Sequence, residues 1–235
     1  MKKIGGYLLM ISLAVIPACG DTDTANVPEQ LPEIAYDNPS KVSEDVLIDD
    51  VCELRSELDF HLLPEQWVIH HNIKSDDFQN FMPGHKMTKE WFDVSDNLQY
   101  VDQLKMYQSL FITNPKGDRF IDLDSYSLNI EKRGNTLVSP GGEVDTQVQI
   151  VSKDWRVLEV LFLGPAVTIE DAVWINDSEC WILTIEEYNS QFFPTVIMIN
   201  LDDKCMQSVI SKSETDQNRT AYNLQYRWKE IEFLD

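Results

Sequence analysis

Two adjacent acids, Glu170 and Asp171, are followed closely by Trp174. They lie after a Gly164-Pro165 turn and between two apolar runs. Carboxylates in unequal surroundings can divide acid and base roles, as glycoside hydrolysis requires. A tryptophan beside them can stack on a sugar ring or face a cation. Glu170, Asp171 and Trp174 are therefore the candidate ligand-binding residues. The structural alternative is that the acids cap the turn and accept from its backbone N–H groups. The chain has 40 acids, so some carboxylate pair always qualifies, and no catalytic residue is assigned. Trp67, Trp91, Trp155 and Trp181 read as core, because aromatic residues in strands usually pack inward. Trp181 alternates with Leu183 and Ile185, as one buried strand face does.

Other chemistries find little support. The histidines are His61, His70, His71 and His85. On a strand, His70 and His71 would point to opposite faces, which makes a poor chelate. There is no HExxH pattern and no His-x-His pair, so a zinc enzyme is unsupported. Asp118, Asp122 and Asp124 offer oxygen ligands, but the central glycine of a calcium loop is missing. No G-x-S-x-G elbow and no glycine-rich phosphate loop occurs, and Pro140-Gly141-Gly142 reads as a turn. No cofactor and no metal is expected.

Composition narrows the classes further. The 235 residues are 43% hydrophobic, with 19 basic side chains against 40 acidic ones. The chain is too apolar and aromatic to be disordered throughout. A formal charge of −21 argues against holding a nucleic-acid backbone, which needs a basic face.

The N-terminus says where the protein goes. Lys2 and Lys3 precede an apolar run, residues 7–17, too short to span a bilayer, which takes about 20 residues. The stretch Val15-Ile16-Pro17-Ala18-Cys19-Gly20 resembles the lipobox of bacterial lipoproteins. That resemblance implies a signal peptide over 1–18 and a lipid on Cys19. It also implies a body held by its lipid in the cell envelope, most readily at the outer membrane. Asp21 and Asp23 resemble the acidic surface-export signals of Bacteroidetes lipoproteins. Residues 19–45 are acidic and carry Pro28, Pro32 and Pro39, the composition of an extended, solvated tether.

The remaining residues, 46–235, suffice for one core. Leu47, Val51, Leu54 and Leu58 recur at helical spacing, which predicts a short N-terminal helix. From about residue 104 the pattern changes to short strands: 105–113, 120–130, 147–151, 158–163, 172–175, 180–186, 195–200 and 206–211. Turn residues separate most of them. The C-terminal segment fits a strand through Tyr222, Leu224, Tyr226 and Trp228, and a helix through Ala221, Leu224, Trp228 and Ile231; the helix is favoured. Asp171-Ala172-Val173-Trp174-Ile175-Asn176-Asp177 and the strands after it look like a β-propeller blade. So does Asn114-Pro115-Lys116-Gly117-Asp118 with its following strand. The body also resembles small uncharacterised lipoproteins of Bacteroidetes. Too few blades are present to close a ring. The fold expected is mainly β: an antiparallel meander of propeller-blade-like open sheets or a sandwich. A short N-terminal helix and a C-terminal helix complete it, with residues 64–103 available to cover an open edge.

Beyond Cys19, Cys52, Cys180 and Cys205 remain. Cys180 and Cys205 fall on strands that flank strand 195–200, about 10 Å apart and too far to bridge. The three are expected as buried free thiols, although an oxidising envelope permits one disulfide. The leading expectation is a lipid-anchored, non-enzymatic binding module for a glycan, a peptide or a protein partner, with no nucleic acid. The alternatives are an envelope polysaccharide hydrolase using a carboxylate pair and a structural subunit of an outer-membrane complex.

Overall fold

The computed structural model describes residues 51–215 and 221–234. The lipobox-like stretch with Cys19, the acidic tether and Leu47 lie outside the described residues.

Along the chain come β1 (Val51–Cys52), α1 (Glu65–His70), β2 (Phe78–Phe81), β3 (Gly84–Lys86), β4 (Phe92–Asp93) and α2 (Leu98–Tyr107). Next are β5 (Ile112–Thr113), β6 (Arg119–Asp122), β7 (Leu128–Arg133), β8 (Thr136–Gly142), β9 (Thr146–Ser152) and β10 (Arg156–Leu163). The last are β11 (Val167–Trp174), β12 (Glu179–Tyr188), β13 (Gln191–Asn200), β14 (Cys205–Ser211) and β15 (Ile231–Phe233). The first sheet runs β1-β3-β14-β13-β12-β11, and β2 also pairs with β14. Its second half is a four-stranded meander of consecutive strands, as the blade-like sequence pattern led us to expect. The second sheet runs β4-β10-β9-β6-β5 and the third β15-β8-β7. Among the described residues, the pairing of β15 with β8 is parallel and the rest are antiparallel.

The first two sheets face each other. Val148, Ile150 and Leu158 of one meet Ile169, Ile182 and Ile199 of the other in the main core. The outer faces are covered as well. Trp67 of α1 and Tyr222 pack on Trp181, Leu183, Val196 and Met198. Val101 and Leu104 of α2 pack on Val151 and Val157. This is a sandwich with a helix on each outer side. A strand such as β12, buried on both faces, must be apolar at nearly every position, and Cys180 to Ile185 is so, apart from Thr184. Truncating the fully buried Leu104 to Ala should cost about 2–5 kcal/mol.

Several local expectations are corrected. The N-terminal helix is not formed over the described part of its range. Val51 and Cys52 pair instead with His85 and Gly84. The Gln207 side chain then accepts the backbone N–H groups of Leu54 and Arg55 at 3.0 and 2.9 Å. Those two donors would otherwise serve a helix, so long-range pairing overrides the local spacing. Leu54 and Leu58 still pack against the core beneath α1.

The strand expected over 105–113 is mostly helical. Asn97 caps α2 by accepting from Tyr100 N at 3.2 Å, and Val101, Leu104 and Tyr107 form its buried stripe. Residues 140–142 belong to β8 rather than a turn. Residues 64–103 do cover an edge, because β2 and β3 both pair with β14. The C-terminal segment takes the helical alternative over 221–227, which includes the turn Asn223–Arg227, and no strand forms over 222–228; Ile231, placed on the helix stripe, instead begins β15.

The expectation of three free thiols is overturned. Cys52 and Cys205 form a disulfide with Cα atoms 6.1 Å apart. Cys180 is free and buried, and burial pushes its thiol well up from the ordinary range. Cys180 and Cys205 do sit on strands flanking β13, so they do not bridge.

Candidate functional site

A β-bulge shapes the neighbourhood of the two candidate acids. Ile169 pairs with Thr184 and Asp171 with Leu183, so Glu170 is the extra residue between them. A bulge breaks the alternation of side chains, and both carboxylates turn toward α1. Glu170 Oε2 accepts from Trp67 Nε1 at 2.8 Å and contacts His71 Nε2 at 2.6 Å. His71 Nδ1 lies 3.1 Å from Thr215 Oγ1. Asp171 Oδ1 accepts from Ala172 N at 2.9 Å. Asp171 Oδ2 accepts from Tyr222 Oη at 2.6 Å and from Gln66 Nε2 at 3.5 Å. Burial, reinforced by the charge of Asp171, raises the Tyr222 phenol above its usual value and keeps it a donor.

Trp174 does not join them. It stands opposite Cys180 on the face toward the main core, and its Nε1 donates to the Ile112 carbonyl at 2.9 Å. The mouth expected from Glu170, Asp171 and Trp174 is therefore not assembled. Glu170 is 0% exposed and Asp171 8%, so a polysaccharide has no approach to either carboxylate. The order Glu170–His71–Thr215 matches a carboxylate–imidazole–hydroxyl relay. All three side chains are buried, and what they accomplish here is to fix α1 and the chain after β14 onto the sheet. His70 and His71 lie at the end of α1 rather than on a strand. Burial first, and then the neighbouring His71, lowers the pKa of His70, whose ring packs edge-on against Tyr222 and Tyr226. The two acids thus anchor the fold.

A second feature begins one residue beyond Tyr222. The turn Asn223–Arg227 is wound wide, with Trp228 N donating to Asn223 O at 2.7 Å. Such π-type turns recur at functional sites. Asn223 Nδ2 donates to the Ile169 carbonyl at 2.8 Å, just before the bulge. Arg227 pairs with Asp124, which also accepts from Trp228 Nε1 at 2.9 Å.

This turn forms one wall of a cleft of about 400 Å³. Leu123, Leu128, Val167, Ile169, Trp228 and Phe233 give it apolar walls. Thr146 also lines it, and the buried Thr146 Oγ1 has no hydrogen-bond partner. Glu143 and the 74%-exposed Val144 lie at its mouth. Glu143 N donates to Ser127 O at 2.7 Å, one step beyond the pair Gly142–Leu128. Tyr126 and Phe162 are exposed aromatics that meet edge to face, centroids 5.5 Å apart. Sequence reasoning missed this cleft, because its residues come from five separate segments and share no spacing.

Behind Asp124 lies a buried polar group. Asp122 accepts from Asp124 N and Ser125 N, both at 3.0 Å, and from Ser125 Oγ. Burial drives its carboxyl from the ordinary 3.8 up to about 6, against the opposing pull of the Ser125 hydrogen bonds. Asp118 instead pairs with Lys116 and Asn114. The three acids of the candidate calcium loop thus serve separate ends, and among the described residues no three acids, histidines or cysteines converge as metal ligands.

No family model matches the chain, and neither a curated protein nor a solved structure gives a significant match. No helix among the described residues is long and apolar enough to cross a membrane.

Proposed function

We propose that this protein is a lipid-anchored cell-envelope binding module whose ligand, from a glycan, peptide or protein partner, enters the cleft beside Trp228. The carrying observation is the cleft itself. Its volume of about 400 Å³, its apolar walls and its few placed polar groups are those of a small-ligand site. The lipobox-like sequence ending in Cys19 supports the anchor. The Cys52–Cys205 disulfide supports an oxidising compartment, since such bonds persist outside the cytosol.

A thermal-shift screen of the full chain against oligosaccharides, short peptides and small amphiphiles tests the site. A ligand at 100 times its Kd adds about 2.7 kcal/mol, which moves Tm by several degrees in a domain of this size. The shift should vanish in Val167→Trp, whose indole fills the cleft. No shift with any class, or a shift that survives this substitution, overturns the site. Labelling growing cells with a fatty acid tests the anchor, and label that persists in Cys19→Ala overturns it.

A further inference from the structure

We infer that the cleft selects a hydrophobic cation: an aromatic or alkyl body carrying an ammonium group, free or as part of a basic peptide. This rests on the cleft being the ligand site and deepens that reading.

The interior polar groups are already committed to one another. Asp124 is held by Arg227 and Trp228, and Asn223 by the Ile169 carbonyl and Arg227. A sugar would bring many hydroxyls to a wall with few free partners, leaving them dry and unpaired at a cost. Thr146 Oγ1 is the buried side-chain atom of this wall that still lacks a partner, enough for one hydrogen bond. The rest of the wall rewards an apolar body.

Charge decides the other end. Among the described residues the lining holds two carboxylates, Asp124 and Glu143, against one guanidinium, Arg227. Arg227 is spent on Asp124, so the unbalanced charge is that of Glu143 at the mouth. Glu143 follows the β7–β8 pairing one step past Gly142, its N–H donating to the Ser127 carbonyl, and it is exposed at the rim of the cleft. A lone carboxylate at the rim of an apolar cleft is complementary to an ammonium ion carried on an apolar body. The overall charge of −21 draws cations toward the mouth and repels anions.

Calorimetric titration of the full chain with three probes that share a phenethyl body tests this: phenethylammonium, 2-phenylethanol and 3-phenylpropionate. The expected order of affinity is amine, then alcohol, then acid. Glu143→Gln, at an exposed position, should weaken the amine roughly two- to fivefold and leave the alcohol unchanged. Added salt should weaken the amine alone. Alcohol binding as tight as the amine, or acid binding tighter, overturns the cation. An oligosaccharide that binds and is lost in Val167→Trp also overturns the cation while the cleft stands. If no probe of any charge binds, or binding survives Val167→Trp, the cleft reading itself falls. A short Lys-Phe peptide separates the sources: tighter binding than the free amine assigns a basic peptide, and weaker binding assigns a free amine.

Discussion

His71 Nε2 lies 2.6 Å from Glu170 Oε2, with the two side chains 1% and 0% exposed. This contact joins the C-terminal end of α1 to the bulge of β11 across the core beneath the helix. Removing one partner of a buried pair strands the other without solvent, which typically costs about 3–5 kcal/mol. His71→Ala should therefore lose that much stability in a urea titration. Adding Glu170→Gln to His71→Ala should recover part of the loss, because a neutral amide tolerates burial better than an unpaired carboxylate. A loss below about 1 kcal/mol in His71→Ala would show that the pair contributes no more than an exposed one.

The Cys52–Cys205 bond spans 153 residues and ties the first described strand to β14. Closing a loop of that length removes unfolded-state entropy equivalent to about 5 kcal/mol in the chain-entropy treatment. Reduced protein and the double variant Cys52→Ser/Cys205→Ser should unfold at the same, much lower urea midpoint. Cys180 should resist a maleimide reagent until the protein unfolds, since its thiol is buried and pushed away from the thiolate form. Rapid labelling of native protein at Cys180 would contradict its position in the core.

The parts of the fold that were legible in the sequence are those fixed by short periodicities. The strands from β9 to β14 alternate or run apolar and are divided by turn residues, and each expected strand there lies within or overlaps an observed one. Trp181 and Leu183 were placed in the core by alternation and are buried together. Long-range capture was not legible. Nothing around Leu54 announces that Gln207 takes its N–H, and nothing near Cys52 announces Cys205. At the site, Glu170 and Asp171 stood out because an acidic pair between apolar strands is unusual. Their distance from Trp174 was hidden, because the alternation rule places residues 170 and 171 on opposite faces and only the bulge aligns them. Thr146, Glu143 and Arg227 carry no local signal, since what makes them neighbours is the meeting of β8, β9 and the C-terminal turn.

Gly142 closes β8 at the wall of the cleft, opposite Leu128. A Cβ at this position would collide with the Ser127 backbone carbonyl, which cannot swing away as a side chain could. Gly142→Ala should therefore shift the backbone that also holds Glu143, at a cost of about 1–3 kcal/mol, typical of overpacking. Gly134, in the β7–β8 hairpin with nothing near its Cβ direction, isolates the conformational contribution because its φ is 65°. Gly134→Ala should lose stability without changing ligand affinity, whereas Gly142→Ala should change both. Equal affinity in the two variants would remove Gly142 from the wall of the site.

Asp122 gives the protein a pH dependence of identifiable sign. Its carboxyl titrates at about 6 in the fold against 3.8 ordinarily, because burial disfavours the charged form. A raised folded-state value means the folded chain holds this proton more tightly than the unfolded chain does. The resulting stabilisation is complete below about pH 4, falls as pH rises through about 6, and is gone above. The difference corresponds to on the order of 3 kcal/mol between the two limits. Asp122→Asn removes the titration. Its amide oxygen can still accept from Asp124 N and Ser125 N, and its nitrogen can donate to the Ser125 hydroxyl. Urea midpoints of the two proteins between pH 3.5 and 7.5 should therefore diverge, with the variant gaining on the parent protein as pH rises. Other titrating groups are common to both proteins and cancel in the comparison. A gap that stays constant across this range would mean that Asp122 carries no shifted proton.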